Sequence, residues 1–256
     1  MSDFLRTVLL QKRKELAELS LAFNVEKRIS NKSFKHSLIK NKNELAVIAE
    51  IKRKSPSVGL LADIEDVVAL AKSYVNGRTN ALSVLTDRKF FGGSIQDLRK
   101  VADAVKNTDC PVLRKDFIID YRQITEAILA GADAVLLIVA LLKEKTEELL
   151  KITKEMNVEA LVEVHNEKEL EIACDAGAEI IGVNNRNLKT LQVDINNSFK
   201  LISLIPNGIV KISASGITSP DIAKKLYKAG FDAVLIGSEL VKASDPAKFI
   251  LEVKSE

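Results

Sequence analysis

An α/β chain of parallel βαβ units is the fold class predicted by the sequence, and three observations point to it. Eight short apolar segments recur from residue 46 onward, each followed by a helical pattern. A small residue, a glycine and an acid precede the fourth, sixth and eighth of these segments. No Gly-x-Gly-x-x-Gly follows any of them, so a dinucleotide-binding sheet loses support. The 256 residues suit a closed (β/α)8 barrel of one domain; an open doubly wound sheet is the alternative.

Residues 1–44 read as a helical extension ahead of eight βα units in 45–256. Asp3 to Leu21 carries Leu5, Val8, Leu9, Leu16 and Leu19 with Lys and Arg between them, an amphipathic helix. Residues 22–44 are polar and mixed, with a second short helix expected around Phe34 to Ile39. The strands are expected at Ala46–Ile51, Ala81–Leu85, Val112–Arg114, Ala134–Ile138, Ala160–Val164, Ile180–Val183, Ile209–Ile212 and Ala233–Ile236. Helices are expected at Ile64–Tyr74, Ser94–Val105, Tyr121–Leu129, Lys143–Met156, Glu167–Ala176, Val193–Leu204, Pro220–Lys228 and Pro246–Val253.

The internal repeat runs Ala130-Gly131-Ala132-Asp133, Ala176-Gly177-Ala178-Glu179 and Ala229-Gly230-Phe231-Asp232. Its glycine supplies the left-handed residue that ends a helix. Recurrence at every second unit matches a barrel whose alternate strands fill alternate layers. The same four residues also suit any helix-to-strand turn.

Composition narrows the function. Hydrophobic residues make up 46% and charged residues 29%, as in a globular protein. The 38 basic and 35 acidic residues leave a net charge of +3, too little for a nucleic-acid field. His36 and His165 are the only histidines, so no metal is expected. Cys110 and Cys174 read as free packing thiols in a reducing compartment. The longest apolar run, Ala134 to Leu142, is too short to span a bilayer, and the N-terminus has no signal core. The expected setting is the cytoplasm, with no membrane partner.

In a barrel the site is built at the C-terminal ends of the strands. The first strand leads there into Glu50 and Lys52, a carboxylate and an ammonium two residues apart and so on one face. Ser55-Pro56-Ser57 and Gly59 then break the strand. Other ends bring Asp87 and Phe90 to Ser94, Arg114 to Phe117, Glu163 and His165, Asn184 to Asn187, Ser213 to Gly216, and Gly237 with Ser238. His165 reads as a helix-start or surface histidine, and Arg53 and Lys54 as solvated. Ser215-Gly216 and Gly237-Ser238 are glycine turns leading into helices, the last a short extra one. Their backbone N–H groups suit a phosphate.

These residues resemble the indole-3-glycerol phosphate synthase family from the N-terminal helix to the end of the chain. The most specific match is Glu50-Ile51-Lys52 with Ser55-Pro56-Ser57 and Gly59. Supporting matches are Leu85-Thr86-Asp87 with Phe91-Gly92-Gly93-Ser94, Leu113 to Phe117, Leu161 to His165, Gly182 to Leu188, and Ile236-Gly237-Ser238. The resemblance implies a TIM barrel whose N-terminal extension packs near the mouth, with no cofactor. It implies conversion of 1-(2-carboxyphenylamino)-1-deoxyribulose 5-phosphate to indole-3-glycerol phosphate, carbon dioxide and water. Carried over by position, Lys115 acts on the carbonyl, Glu163 is the acid/base for dehydration, and Lys52 pairs with a substrate anion or shares the acid role. Glu50 orients Lys52 or Lys115. Asn184 and Arg186 position the substrate. Ser55, Ser215, Gly216, Gly237 and Ser238 hold phosphate beside Pro56, and Phe91, Phe117 and Leu137 wall the aromatic ring.

One position departs from the resemblance. The pattern there has Glu before Ser-Gly-Ile, and this chain has Ala214. Two other readings stay open: a weakened paralogue that binds a sugar phosphate, and a Schiff-base aldolase using Lys115 or Lys52. The partner expected is an anthranilate-derived sugar phosphate; the chain is expected as a monomer or in weak association with other tryptophan-pathway enzymes.

Overall fold

Neighbouring residues on each strand face different apolar environments, and this alternation builds the molecule. Ala46 and Ile48 pack with Ala81, Leu113, Leu136 and Leu161 in one cluster. Val47, Ala49 and Ile51 pack with Leu82, Val112, Leu137 and Val162 in another. Side chains on a strand alternate between faces, so the first cluster fills a barrel and the second lies between barrel and helices. The computed structural model describes residues 2–19, 31–41 and 43–255. Its barrel strands are β1 (Ala46–Ile51), β2 (Ala81–Leu85), β3 (Val112–Lys115), β4 (Ala134–Ile138), β5 (Glu159–Val164), β6 (Ile180–Asn184), β7 (Val210–Ala214) and β8 (Ala233–Ile236). Each pairs in parallel with its neighbours, and β1 closes on both β2 and β8. The fold is a (β/α)8 TIM barrel, and the doubly wound alternative is excluded by closure.

The repeated glycines do what the turn needs. Gly131, Gly177 and Gly230 have φ of 92°, 74° and 105°, each one residue past the cap of a helix. The acid has a structural task in two of the three copies: Asp133 accepts from the N–H of Val112 at 2.9 Å, and Asp232 from that of Lys211 at 2.8 Å. Each carboxylate thus ties the base of one strand to the strand before it. Glu179 departs from this and pairs with Lys35 at 2.7 Å.

Element boundaries moved where tertiary contacts override local pattern. The first barrel helix runs Val67–Asn76 and starts after Ile64, because Asp66 caps it by accepting from Val68 and Ala69 N–H. Strand β7 continues to Ala214, since Ser213 and Ala214 stay in register with Val183 and Asn184 of β6. The expected helix from Val193 begins at Asn196, because Val193 forms a bridge with Arg186. The sequence also left unread a ribbon, Lys54–Ser55 against Gly59–Leu60, and two single-turn helices, Arg88–Phe91 and Val139–Leu142.

The extension serves both ends of the barrel. Helix Asp3–Glu18 lies at the C-terminal mouth, where Phe4 lines the cavity and Lys12 reaches loop residues after β2 and β3. The helix ends at Glu18, with Leu19 extended as its cap, short of the expected Leu21; residues 20–30 lie outside the described residues. Helix Phe34–Ile39 closes the opposite end: Glu159 at the start of β5 accepts from Phe34 N–H, and Asn80 before β2 donates to Ser37 O at 2.9 Å. Phe34 and Leu38 are buried against the barrel interior. Expectation had the extension near the mouth alone; the apolar face of this second helix instead stoppers the base. Among the described residues no helix is long and apolar enough to cross a membrane.

Candidate active site

The inward parity that buries Ala46 and Ile48 brings Glu50 to the mouth as the next residue on that face. Lys115 ends β3, Glu163 lies on β5, Asn184 ends β6 and Ala214 ends β7. All five line one cavity of about 320 Å³, within the usual size for a small-molecule site. Lys52, Ser55, Pro56, Phe91, Phe117, Arg186, Ser215, Gly216, Gly237 and Ser238 line it too. The sequence placed each of these at the rim.

Glu50 is the hub. Its Oε1 lies 2.7 Å from Lys52 Nζ and its Oε2 3.3 Å from Lys115 Nζ, so one carboxylate orients both amines. Burial pushes the Glu50 carboxyl up, but the charges of Lys115 and Lys52 outweigh it and hold it at about 2. Burial likewise pulls the Lys115 ammonium down, and Glu50 and Glu163 more than reverse that, leaving it above its ordinary value. Lys115 therefore stands as a cation with a proton to give. A Schiff-base aldolase needs the neutral amine, so this environment disfavours that reading for Lys115.

At the far side, Ser215 and Gly216 have consecutive positive φ of 69° and 82°. Asn185 supports this turn from behind, donating to Ser215 O at 3.0 Å and Ser213 Oγ at 3.1 Å. A Cβ at Gly237 would run into the Glu50 carboxylate and come within 2.9 Å of Lys52 Nζ, so a side chain there would displace that pair. The two glycine turns thus face one space beside the amines. Arg186 donates to Ser57 Oγ at 2.8 Å and Leu191 O at 2.9 Å, tying the loop after β6 to the Ser55-Pro56-Ser57 loop.

An aromatic wall faces this polar side. Phe4, Phe90 and Phe117 meet edge to face at 5.4 to 6.2 Å, and Phe91 lies 6.0 Å from Phe117. Leu137 does not belong to it. That side chain packs outward between barrel and helices, while its neighbours Leu136 and Ile138 line the cavity.

Two further expectations are corrected. Arg53 is ion-paired with Asp97 at 2.8 Å, and Lys54 donates to Lys89 O at 2.8 Å, so neither is simply solvated. His165 does stand at a helix start, just before the N-cap Asn166, but not at the surface; its side chain is 10% exposed and lies between Glu163 and Glu169.

A family model described as indole-3-glycerol phosphate synthase matches residues 5–253. The chain belongs to this family. It is 44% identical over 238 residues to the indole-3-glycerol phosphate synthase of Caldanaerobacter subterraneus subsp. tengcongensis, covering 92% of this chain and 90% of that one. The synthase of Kineococcus radiotolerans is 48% identical over 208 residues, 81% of this chain and 75% of its own. Among solved structures, 3-hexulose-6-phosphate synthase from Salmonella typhimurium superposes with a TM-score of 0.65 at 15% identity, over 82% of this chain and 96% of that one. Thiamine phosphate pyrophosphorylase from Pyrococcus furiosus gives 0.61 at 18% identity, over 84% and 95%. These two show the fold alone. As an indole-3-glycerol phosphate synthase the chain is a carboxy-lyase of tryptophan biosynthesis acting on a small molecule.

The synthase mouth also depends on residues the sequence reading passed over. Lys12 is 1% exposed and sits 2.8 Å from Asp87 and 2.7 Å from Asp116. Asp116 in turn pairs with Arg114 at 3.1 Å and accepts from Thr86 at 2.6 Å. This cluster anchors the extension helix beside Lys115 and delivers Phe4 to the wall.

Proposed function

We propose that the five residues Lys115, Glu163, Lys52, Glu50 and Asn184 carry the synthase reaction. The observation that carries this reading is the convergence of both amines on Glu50 inside a cavity that also holds Glu163 and the two glycine turns. The phosphate of the substrate sits at Ser55, Ser215, Gly216, Gly237 and Ser238, with Arg186 and Pro56 beside it. The carboxyphenyl ring lies against Phe91, Phe117, Leu136 and Ile138. That orientation sets the ring carbon bearing the carboxylate over the ribulose carbonyl.

Lys115 gives its proton to the carbonyl oxygen as the ring carbon attacks, so the new alcohol forms without a free alkoxide. Loss of carbon dioxide returns the electron pair of that bond to the ring. The ring nitrogen then expels the new hydroxyl as water, and Glu163 serves as the acid/base for this loss and for removal of the remaining C–H proton. Lys52 pairs with the substrate's charged or hydroxyl groups and Asn184 holds the intermediate. Glu50 keeps both amines oriented. The whole chain acts as one domain in this reading, because the extension contributes Phe4 and Lys12 to the mouth. A cytoplasmic monomer, with at most weak association with other enzymes of its pathway, is the setting this reading takes.

Turnover decides it. Purified protein with the carboxyphenylamino sugar phosphate is expected to develop indole fluorescence; none at high enzyme concentration would remove the proposal. Ala214 is the one observation that favours a weakened synthase. Its side chain is 5% exposed and lines the cavity next to Asn184 in register, where a carboxylate would reach the substrate. Ala214→Glu is expected to raise kcat/KM by about 10- to 100-fold, the worth of one hydrogen bond to a charged partner. A wild-type chain that binds the substrate without converting it, rescued by Ala214→Glu, would instead establish the binding paralogue.

A further inference from the structure

The mouth holds one imidazole that the mechanism above does not use. His165 follows β5 directly, and its Nδ1 lies 3.0 Å from Oε2 of Glu169. The same oxygen accepts from the His165 backbone N–H at 2.8 Å. Glu169 is itself held, since Asn166 donates to its Oε1 at 2.8 Å. Asn197 steadies the backbone, donating to His165 O at 3.1 Å and Asn184 O at 3.3 Å. The other ring nitrogen, Nε2, is buried, hydrogen-bonds to no described residue, and lies 3.4 Å from Oε1 of Glu163.

A histidine that only braced the start of helix Glu167–Asp175 would be complete with Glu169. Burying its second nitrogen without a partner would carry an uncompensated desolvation cost. That nitrogen instead lies 3.4 Å from the carboxylate assigned to dehydration. Catalytic hydrogen bonds shorten as substrate binds, so a 3.4 Å separation suits this role. We propose that His165 is a positioning residue for Glu163, presenting an Nε2–H that holds its carboxylate in the orientation needed for proton transfer. The inference rests on the acid/base role given to Glu163 above.

The charge state follows from the surroundings. The titratable groups facing the imidazole are Glu163 on β5, Glu169 on the helix after it, and Lys115 on β3. Burial opposes the cation. The Glu169 hydrogen bond and the two carboxylates outweigh it, with Lys115 partly opposing them, and His165 is raised above its ordinary 6.5. The neutral ring with its proton toward Glu169 would set a lone pair against the Glu163 carboxylate. The proposed hydrogen bond therefore forms only below the folded pKa and is lost as pH rises through it.

The test is the pH dependence of kcat for the wild type, His165→Ala, His165→Gln, Glu163→Gln and the His165→Ala/Glu163→Gln double variant. Wild-type kcat is expected to fall on the alkaline side with an apparent pKa above 6.5. His165→Ala is expected to lower kcat by about 10-fold with KM little changed. His165→Gln keeps a neutral donor, so it should recover most of the rate and lose the alkaline limb. The double variant should be no slower than Glu163→Gln alone. An unchanged rate and profile in His165→Ala, with Glu163→Gln impaired, would overturn this inference only. A wild-type alkaline limb in His165→Gln would overturn it as well, as would a stability loss in His165→Ala with kcat per folded molecule intact. Near-normal turnover in Glu163→Gln would take down the role of Glu163, and this inference with it.

Discussion

Lys115→Ala is expected to lower turnover by about 10²–10⁴-fold, and Glu163→Gln by a similar factor. The two losses have different causes. In the proposed mechanism Lys115 is the proton donor at carbonyl attack, and its ammonium is held charged by Glu50 and Glu163 against the pull of burial. Alanine removes the donor and leaves Glu50 with Lys52 alone at 2.7 Å. Glutamine at position 163 keeps the shape and hydrogen-bonding of the side chain but cannot take or give a proton at neutral pH. Single-turnover measurements should place the Lys115 defect at ring closure and the Glu163 defect after loss of carbon dioxide. Near-normal rates in both variants would refute the assignment. The acid side of the profile has its own sign. Glu50 is depressed to about 2, so its pairing with both lysines is complete above the ordinary carboxylate range and is lost as pH falls toward about 2. Activity lost in milder acid must have another source.

Most of the barrel was legible because apolar strands and glycine-ended helices are local patterns. The glycines at 131, 177 and 230 all adopt the positive φ that the repeat implied. The rim was legible because charge on a buried strand is unusual, as at Glu50 and Glu163. Leu137 shows where this runs out. Residues Ala134 to Ile138 are all apolar and all buried, so nothing local says which parity faces inward. Register does: Ile138 pairs with Glu163, so Ile138 and Leu136 share the catalytic face and Leu137 cannot. The surface alternative for His165 and the solvated reading of Arg53 failed for a related cause. Their exposure is set by Glu169 and Asp97, and the second of these is 44 residues away in the chain.

Lys12 was readable in principle, and its removal should give the largest stability loss. Phe4, Val8, Lys12 and Leu16 fall at four-residue spacing on one helix stripe, so a lysine on an otherwise apolar face needed a buried partner. It has two, Asp87 and Asp116, 0% and 4% exposed. Lys12→Met leaves both carboxylates buried without that cation, and is expected to destabilise the fold by about 3–5 kcal/mol in urea unfolding. Adding Asp87→Asn and Asp116→Asn removes the stranded charges and should restore part of the loss. The pH response separates this from simple repacking. Burial raises the Asp116 carboxyl, but Arg114 and Lys12 hold it at about 2. Its contribution is therefore present above the ordinary 3.8 and is lost as pH falls toward about 2. Lys12 is raised above 10.5, so its share is full below that value and declines as pH rises past it. Without Lys12, Asp116 keeps Arg114 but loses one of its two cations, so acid unfolding should begin at higher pH than in the wild type. A loss under about 1 kcal/mol with an unchanged acid limb would mean the pairs are no better than surface ones, and that apolar contacts alone seat the extension helix over the mouth.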